Sequence, residues 1–117
     1  MSSNKSFSTE TSERYSRALF EVAIEQSEFD KVELDLKSFN LTFDNSEELR
    51  NFIQNPTQSL ENQIKVINLI AEKLNFSKNL KNFFLLLIEK RRLFYEKKIN
   101  KSFLKLCSKK RGEIKAS

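Results

Sequence analysis

The side chains that could take part in chemistry are the acidic and basic residues and one cysteine, Cys107. The sequence has no histidine, so the commonest general base and metal ligand is absent. One cysteine cannot form a structural zinc site or an intrachain disulfide. A glycine-rich phosphate loop cannot form where Gly112 is the only glycine. We therefore expect no catalytic site, no cofactor and no metal, and we interpret Cys107 as a small, partly buried apolar residue in the last helix.

The acidic residues are spaced as they are on solvated helix faces. Glu13 and Arg17 are neighbours of opposite charge at a spacing of four, whereas Glu21 and Glu25 are like-charged neighbours at the same spacing. Pairs of this kind change the stability of a helix only slightly. Neither arrangement supports catalysis, so the sequence indicates a binding or structural module.

The composition predicts an all-α fold. A chain of 117 residues corresponds to one domain and can bury a core without a disulfide or metal. It contains one glycine and one proline, whereas sheet proteins need turn residues about every ten positions. The single cysteine fits a reducing compartment. No apolar run approaches the roughly 20 residues of a membrane span, so we expect no direct membrane insertion.

The apolar periodicity predicts a compact six-helix bundle over residues 12–110. It would follow a disordered polar tail over residues 1–11 and precede a linker, or the start of a missing C-terminal domain, over residues 111–117. The predicted start points are Thr11 or Ser12 for the first helix and Ser59 and Ser77 for the fourth and fifth. For the third helix, residues 44–46 offer caps, and Asn45 has the spacing of a capping box with Glu48.

Three of the predicted helices have a one-sided apolar stripe, which indicates packing on a core. The second helix has the clearest pattern, at spacings of three and four, and we expect all of it to be core. Asn75 is expected to end the fourth helix. The three stripes consist of Phe29, Val32, Leu36, Phe39 and Phe43; of Leu49, Phe52 and Ile53; and of Leu60, Ile64, Ile67, Ala71 and Leu74.

Two helices have more apolar surface than one buried face needs. In residues 12–27 the apolar side chains cover an arc of roughly 240°, against about 100° for a helix with one buried face. Residues 83–88 are apolar without interruption, so they point in every direction. Helices of this kind are either central in a bundle or cover a partner as well as a core.

The charge is divided unevenly along the chain. Residues 1–77 carry 8 basic and 13 acidic side chains, a net charge of −5, while residues 78–117 carry 13 basic and 3 acidic ones, a net charge of +10. An all-helical RNA-binding module using this basic half is therefore an alternative interpretation. It is the weaker one, because aromatic side chains are not interleaved with the basic ones in a recognisable motif. The uneven charge is also typical of a solvated face.

Four segments together resemble one known family. Residues 14–20, RYSRALF, followed by Ala23, resemble the "RYAxALFxxA" opening of the delta subunit of F-type ATP synthase, the family of the mitochondrial oligomycin-sensitivity-conferral protein. Residues 52–56 are similar to its third-helix ending before "NP", and residues 81–93 to its "KNFLxLLxExxRL" segment. Residues 111–116 resemble the "RGExxA" that opens its second domain. The four segments occur in the family's order and span nearly all of residues 12–116.

This resemblance implies a fold and a non-catalytic role. The family's N-terminal domain is a six-helix bundle that sits on the catalytic head, where its first and fifth helices hold the N-terminal helix of an alpha subunit. The resemblance implies that the chain is a stator component, which keeps the head from turning with the rotor during proton-driven ATP synthesis. We expect it to lie peripherally on the cytoplasmic face of a bacterial inner membrane, or on the matrix or stroma side in an organelle. No nucleic acid is expected as a partner.

The resemblance also implies which residues bind the partner. The expected groove residues lie on the facing sides of the first and fifth helices. They are Tyr15, Ala18, Leu19, Val22, Asn79, Asn82, Phe83, Leu86 and Lys90. Ser16 stands where the family usually has alanine, so the residue at this position is still small. The b subunits of the peripheral stalk bind the family's C-terminal domain. That domain would follow residue 117, so the sequence is either an excised domain or a truncated natural chain. If nothing follows residue 117, we expect the chain to hold the head without completing the stator by itself.

Overall fold

A computed structural model describes residues 6–115, and all regular structure in that range is helical. A short 3-10 turn, Leu93–Tyr95, joins the last two of six α-helices, which confirms the predicted all-α fold and helix count. Within the described range, no helix is both long and apolar enough to cross a membrane. The helices are α1 (Phe7–Glu25), α2 (Phe29–Asp44), α3 (Glu47–Ile53), α4 (Leu60–Lys73), α5 (Lys78–Glu89) and α6 (Glu96–Lys115).

The first helix begins earlier than predicted. Ser6 is its N-cap, and the Ser6 side chain accepts a hydrogen bond from the Thr9 backbone N–H at 3.2 Å. Thr11 and Ser12, the predicted caps, lie inside the helix and are each 2% exposed. The predicted tail is therefore wrong for residues 7–11, which are helical. Its remaining part, residues 1–5, lies outside the described residues.

The last helix continues beyond its predicted end near Lys110. It runs through Arg111 to Lys115, where we expected a linker. Arg111 is held by α2, since its Nε donates to Glu33 at 2.9 Å and its Nη2 donates to Asp30 at 2.8 Å. These contacts with a distant part of the sequence support a helix that the apolar pattern alone did not predict. Residues 116 and 117 lie outside the described residues.

The predicted helix caps are largely confirmed. Ser59 and Ser77 cap α4 and α5, and each side chain accepts a hydrogen bond from the backbone N–H three residues later. Asn75 ends α4 with a left-handed backbone, at a φ of 54°. At α3 the N-cap is Ser46, which is one of the offered caps, and the capping box expected at Asn45 is wrong. Asn45 instead caps the end of α2, and its backbone N–H donates to the Leu41 carbonyl.

The core confirms the predicted stripe of α2. Val32, Leu36, Phe39 and Phe43 are at most 2% exposed, and Phe29 packs against them from a partly buried position. The stripe of α4 is only partly correct. Ile67 and Ala71 are buried, and Leu60 and Leu74 pack against the core. Ile64 is 41% exposed and Gln63 is buried instead, because α4 packs mainly on α5.

The other predicted inward-facing residues are placed as follows. Ile53 of α3 is buried, and Leu49 and Phe52 pack against the core from partly buried positions. Cys107 is fully buried rather than partly buried. Burial raises the pKa of its thiol to about 12, so the thiol stays protonated and is not a nucleophile at neutral pH.

A buried carboxylate fixes the start of α5 against α2. Asp35 is 2% exposed; one of its oxygens accepts the Ser77 backbone N–H at 2.8 Å, and the other accepts from Lys31 Nζ at 2.8 Å. Lys31 Nζ also donates to the Asn75 carbonyl at 2.7 Å. The loop before α5 is thus held by charge-assisted hydrogen bonds, which sets where α5 begins.

Truncating the centre of the α2 stripe tests the core assignment. We expect Leu36→Ala to lower the free energy of unfolding by about 2–5 kcal/mol, because a fully buried leucine leaves a cavity. Leu34→Ala on the same helix is the matched control, since Leu34 is 61% exposed and its loss should cost less than about 0.5 kcal/mol. Urea denaturation measures both, and equal losses would contradict the assignment.

Because the Glu96 carboxyl is buried, we expect the free energy of unfolding to depend on pH. Burial raises the pKa of its carboxyl to about 8, with Lys97 and Asp44 as the charged neighbours. The folded chain therefore keeps a proton that the unfolded chain releases near pH 4.5, so stability should fall as pH rises from 5 to 8. The expected loss is on the order of 3 kcal/mol.

Glu96→Gln should remove this dependence and the exposed control Glu72→Gln should keep it, as measured by denaturation at several pH values. The assignment is wrong if the Glu96→Gln slope matches that of the unaltered chain.

Candidate functional site

The packing of α1 on α6 decides which side of α1 stays open. Ser12, Ser16, Leu19 and Ala23 are at most 2% exposed and lie on one face of α1, the helix that packs most extensively along α6. The Ser16 and Ser102 hydroxyl oxygens are 2.8 Å apart, so small side chains meet at this contact. Because this face is buried, the adjoining sector of α1 is turned away from α6.

The open sector of α1 faces α5 across a surface groove. Tyr15, Ala18 and Val22 lie on this sector, and the Tyr15 ring meets the Phe83 ring edge-on with centroids 6.4 Å apart. On α5, Phe83, Phe84, Leu87 and Ile88 are buried, while Leu86 is 40% exposed. The continuous apolar run thus serves the core with most of its residues, while Phe83 and Leu86 line the groove.

The groove has a volume of about 490 Å³ and is mainly apolar in its side chains. The structure brings together every predicted groove residue except Lys90. Lys90 is the exposed C-cap of α5 and does not line the groove, because the helix ends there. The lining residues are Thr11, Arg14, Tyr15, Ala18, Leu19, Val22, Asn79, Asn82, Phe83, Leu86 and Arg92.

The lining residues divide into a floor and accessible walls. Leu19 and Phe83 are 2% and 9% exposed, so they form the floor and belong to the core. Val22 and Leu86 are 38% and 40% exposed and stand on opposite helices. Two large apolar side chains on facing walls form a surface that a third helix could cover.

The edges of the groove carry positive charge. Arg14 and Arg92 line it, and no acidic residue is among its lining residues. The Arg92 guanidinium lies over the ring of Phe7 at 5.2 Å, and Phe7 is 64% exposed, so apolar surface continues beyond the first turn of α1. At the α5 side, the Asn79 amide donates to Glu28 at 2.8 Å, which fixes the orientation of that amide.

Sequence reasoning missed four residues of this region: Phe7, Thr11, Arg14 and Arg92. The first two were missed because α1 was predicted to begin too late. A usable pattern was present, since Phe7, Thr11, Tyr15, Ala18 and Val22 follow one another at spacings of four, four, three and four. That spacing places Phe7 and Thr11 on the same face as the predicted groove residues of α1.

Several basic residues of the C-terminal half are engaged in contacts within the chain. Lys97 Nζ lies 3.2 Å from Asp44, Arg91 donates to the Gln58 carbonyl at 3.2 Å, and Arg111 bonds to Asp30 and Glu33. The hydrogen bonds from Arg111 lower the pKa of the Glu33 carboxyl. Across residues 6–115, no group of three or more histidine, cysteine, aspartate or glutamate side chains is placed to hold a metal ion.

A second apolar depression lies between α3 and α4. It has a volume of about 430 Å³ and is lined in part by Leu49, Phe52 and Leu69, of which Leu69 is 56% exposed. None of the predicted groove residues of α1 and α5 lines this depression.

Comparison with known proteins decides the family. The sequence profile of the ATP synthase delta (OSCP) subunit family matches residues 11–117. The chain belongs to this family. It is 40% identical to ATP synthase subunit delta of Pelagibacter ubique over 99% of its own length, 39% identical to that of Rhizobium etli over 89%, and 34% identical to that of Rhodospirillum rubrum over 99%.

The chain spans only part of these relatives. It covers 63% of the Pelagibacter ubique subunit, 55% of the Rhizobium etli subunit and 62% of the Rhodospirillum rubrum subunit. The groove between α1 and α5 lies within the residues that the family profile matches.

Proposed function

We propose that this chain is a non-catalytic stator component of an F-type ATP synthase and holds the N-terminal helix of an alpha subunit in the groove between α1 and α5. Its membership of the delta family supports the assignment to the complex. The open apolar groove is the observation that supports the proposed binding of the alpha helix. It lies between the two helices that have more apolar surface than the core requires.

The contacts expected at the groove follow the helix-in-groove mode of recognition. The apolar side of the alpha helix covers Val22 and Leu86, the most exposed apolar side chains of the two walls. Tyr15 is the anchor, because its ring is rigid and apolar while its hydroxyl can form a hydrogen bond at the rim. Ala18 is small and exposed, so the backbone of the alpha helix can approach α1 closely.

The charges of the groove select the kind of helix that fits. Arg14 and Arg92 line it without an acidic neighbour among the lining residues. An amphipathic helix with acidic side chains beside its apolar face is therefore favoured, and a helix with basic residues there is repelled. Such charge complementarity increases the association rate and fixes orientation more than it raises affinity.

The role in the complex is mechanical. Bound to an alpha subunit, the bundle sits on top of the catalytic head and transmits elastic load. A further segment, of the kind present in the longer relatives, joins it to the b subunits of the peripheral stalk, so that the head does not rotate with the rotor. This arrangement places the chain peripherally at the cytoplasmic face of a bacterial inner membrane, or at the matrix or stroma side in an organelle.

Three substitutions test the groove against a peptide of the cognate alpha subunit's N-terminus. Tyr15→Ala and Leu86→Asp should each weaken binding by about 2 kcal/mol or more, because they remove a central anchor or place a charge in an apolar contact. Ala18→Trp should block the groove sterically. All three should lower the unfolding temperature only modestly. Isothermal titration calorimetry gives the affinity and a thermal melt gives the folding.

Leu34→Asp is the matched control for Leu86→Asp. Leu34 is an exposed leucine on α2 that does not line the groove, so this variant should bind the peptide normally. Normal binding by all three groove variants, while folded, would show that the alpha helix binds elsewhere. Unfolding of all three would show that these residues are core, which would equally contradict the groove.

Salt dependence separates this proposal from the RNA-binding alternative. Affinity for the alpha peptide should change by less than about tenfold between 50 and 200 mM salt, because an apolar contact is weakly screened and only two rim charges contribute. Binding of RNA through several phosphates should fall by about 10³-fold or more over the same range. Fluorescence anisotropy with both ligands measures this. Tight, sequence-selective RNA binding at 150 mM salt would favour the alternative.

A further inference from the structure

A second, smaller cleft lies between α1 and α6, on another side of α1 from the groove. It has a volume of about 230 Å³. Its walls combine three lysines of α6 with hydroxyl side chains of both helices. The lining residues are Thr9, Ser12, Glu13, Lys98, Lys101, Ser102 and Lys105.

The three lysines of the cleft lie on one face of α6. Lys98, Lys101 and Lys105 follow at spacings of three and four, which gives them this placement. Among the side chains described for residues 6–112, none of the three has a carboxylate partner, whereas Lys31, Lys37 and Lys97 each do. Like charges at these spacings destabilise a helix, so an anion bound between them would relieve their repulsion.

Hydroxyl groups at the cleft complement the ammonium groups. Ser12 is 2% exposed, and its Oγ has no hydrogen-bond partner among the described residues. A buried hydroxyl without a partner is costly and points to a missing one. The Ser102 hydroxyl pairs with Ser16 at 2.8 Å, and Lys98 Nζ donates to the Ser8 hydroxyl at 2.6 Å. Lys98, Lys101 and Lys105 are exposed, so their long side chains can change rotamer when an anion enters the cleft beside Ser12.

We propose that this cleft binds a phosphate-type oxyanion between α1 and α6. The three ammonium groups supply charge, and the hydroxyls of Ser12 and Thr9 supply directed hydrogen bonds to its oxygens. Glu13 lies at the cleft as well, so the oxyanion sits towards the lysines. Free phosphate compounds and the headgroup of an anionic phospholipid share this chemistry. The bound group would join α1 to α6 and stabilise their packing.

Binding of pyrophosphate to the 117-residue chain tests the proposal. Calorimetry at low, constant ionic strength should show binding that potassium chloride does not mimic, and a thermal melt should show stabilisation. Replacing Lys98, Lys101 and Lys105 together by glutamine should weaken pyrophosphate at least tenfold. The control replaces Lys65, Lys78 and Lys109, exposed lysines outside the cleft, and should change the affinity less than twofold at the same net charge.

Two milder variants keep the test valid if the triple variant does not fold. Lys101→Gln alone, at an exposed position, should weaken pyrophosphate about threefold, and Ser12→Ala should weaken it severalfold with the bundle intact. Equal losses in the cleft and control triple variants would overturn the proposal, because binding would then depend on net charge alone. Tighter binding of polyglutamate than of pyrophosphate, abolished by the cleft variant, would also overturn it and assign the cleft to carboxylates.

Vesicles distinguish the two sources of the oxyanion. The chain is sedimented with phosphatidylcholine vesicles that contain phosphatidate, and with phosphatidylcholine alone. Co-sedimentation that requires phosphatidate and is lost in the cleft variant assigns the site to a lipid headgroup. Pyrophosphate binding without co-sedimentation assigns it to a soluble phosphate compound. The absence of both contradicts the proposal.

Discussion

The close contact between α1 and α6 is the constraint on which the rest of the structure depends. Ser16 and Ser102 meet at 2.8 Å, and Ser16, Leu19 and Ala23 of α1 are at most 2% exposed. A larger side chain at Ser16 would separate the helices, because a packed interior absorbs added volume poorly. By fixing how α1 is rotated, this contact sets which residues face the core and which remain open. The groove is therefore a consequence of core packing rather than a separate feature.

The opposite wall of the groove is fixed independently. The Asp35 carboxylate of α2 holds the N-terminus of α5 by accepting the Ser77 backbone N–H, and Phe84 of α5 packs on Phe39 with ring centroids 5.0 Å apart. Both walls are thus held by the core before any partner binds. A preformed groove loses little conformational entropy when a helix enters it, which would suit the proposed contact with the alpha helix.

Periodic patterns predicted the parts of this structure that depend on local sequence. The spacing of Phe29 to Phe43 identified the core of α2. The wide apolar arc of α1 indicated more apolar surface than one buried face needs, but it did not show which side of α1 faces the core. The errors lie where distant contacts decide. Thr11 and Ser12 are buried by packing rather than free to cap, and Arg111 extends α6 through ion pairs with α2. Ile64 is exposed because α4 packs mainly on one neighbour, which periodicity cannot show.

The central claim is that the groove between α1 and α5, and not the depression between α3 and α4, holds the alpha subunit's N-terminal helix. The most direct test is an NMR titration of the isotopically labelled chain with an unlabelled peptide of that helix. The account predicts that backbone amide signals of residues 15–22 and 79–86 shift most, while those of Leu49, Phe52 and Leu69 stay unchanged. The largest shifts at Leu49, Phe52 and Leu69, with residues 15–22 unaffected, would contradict it.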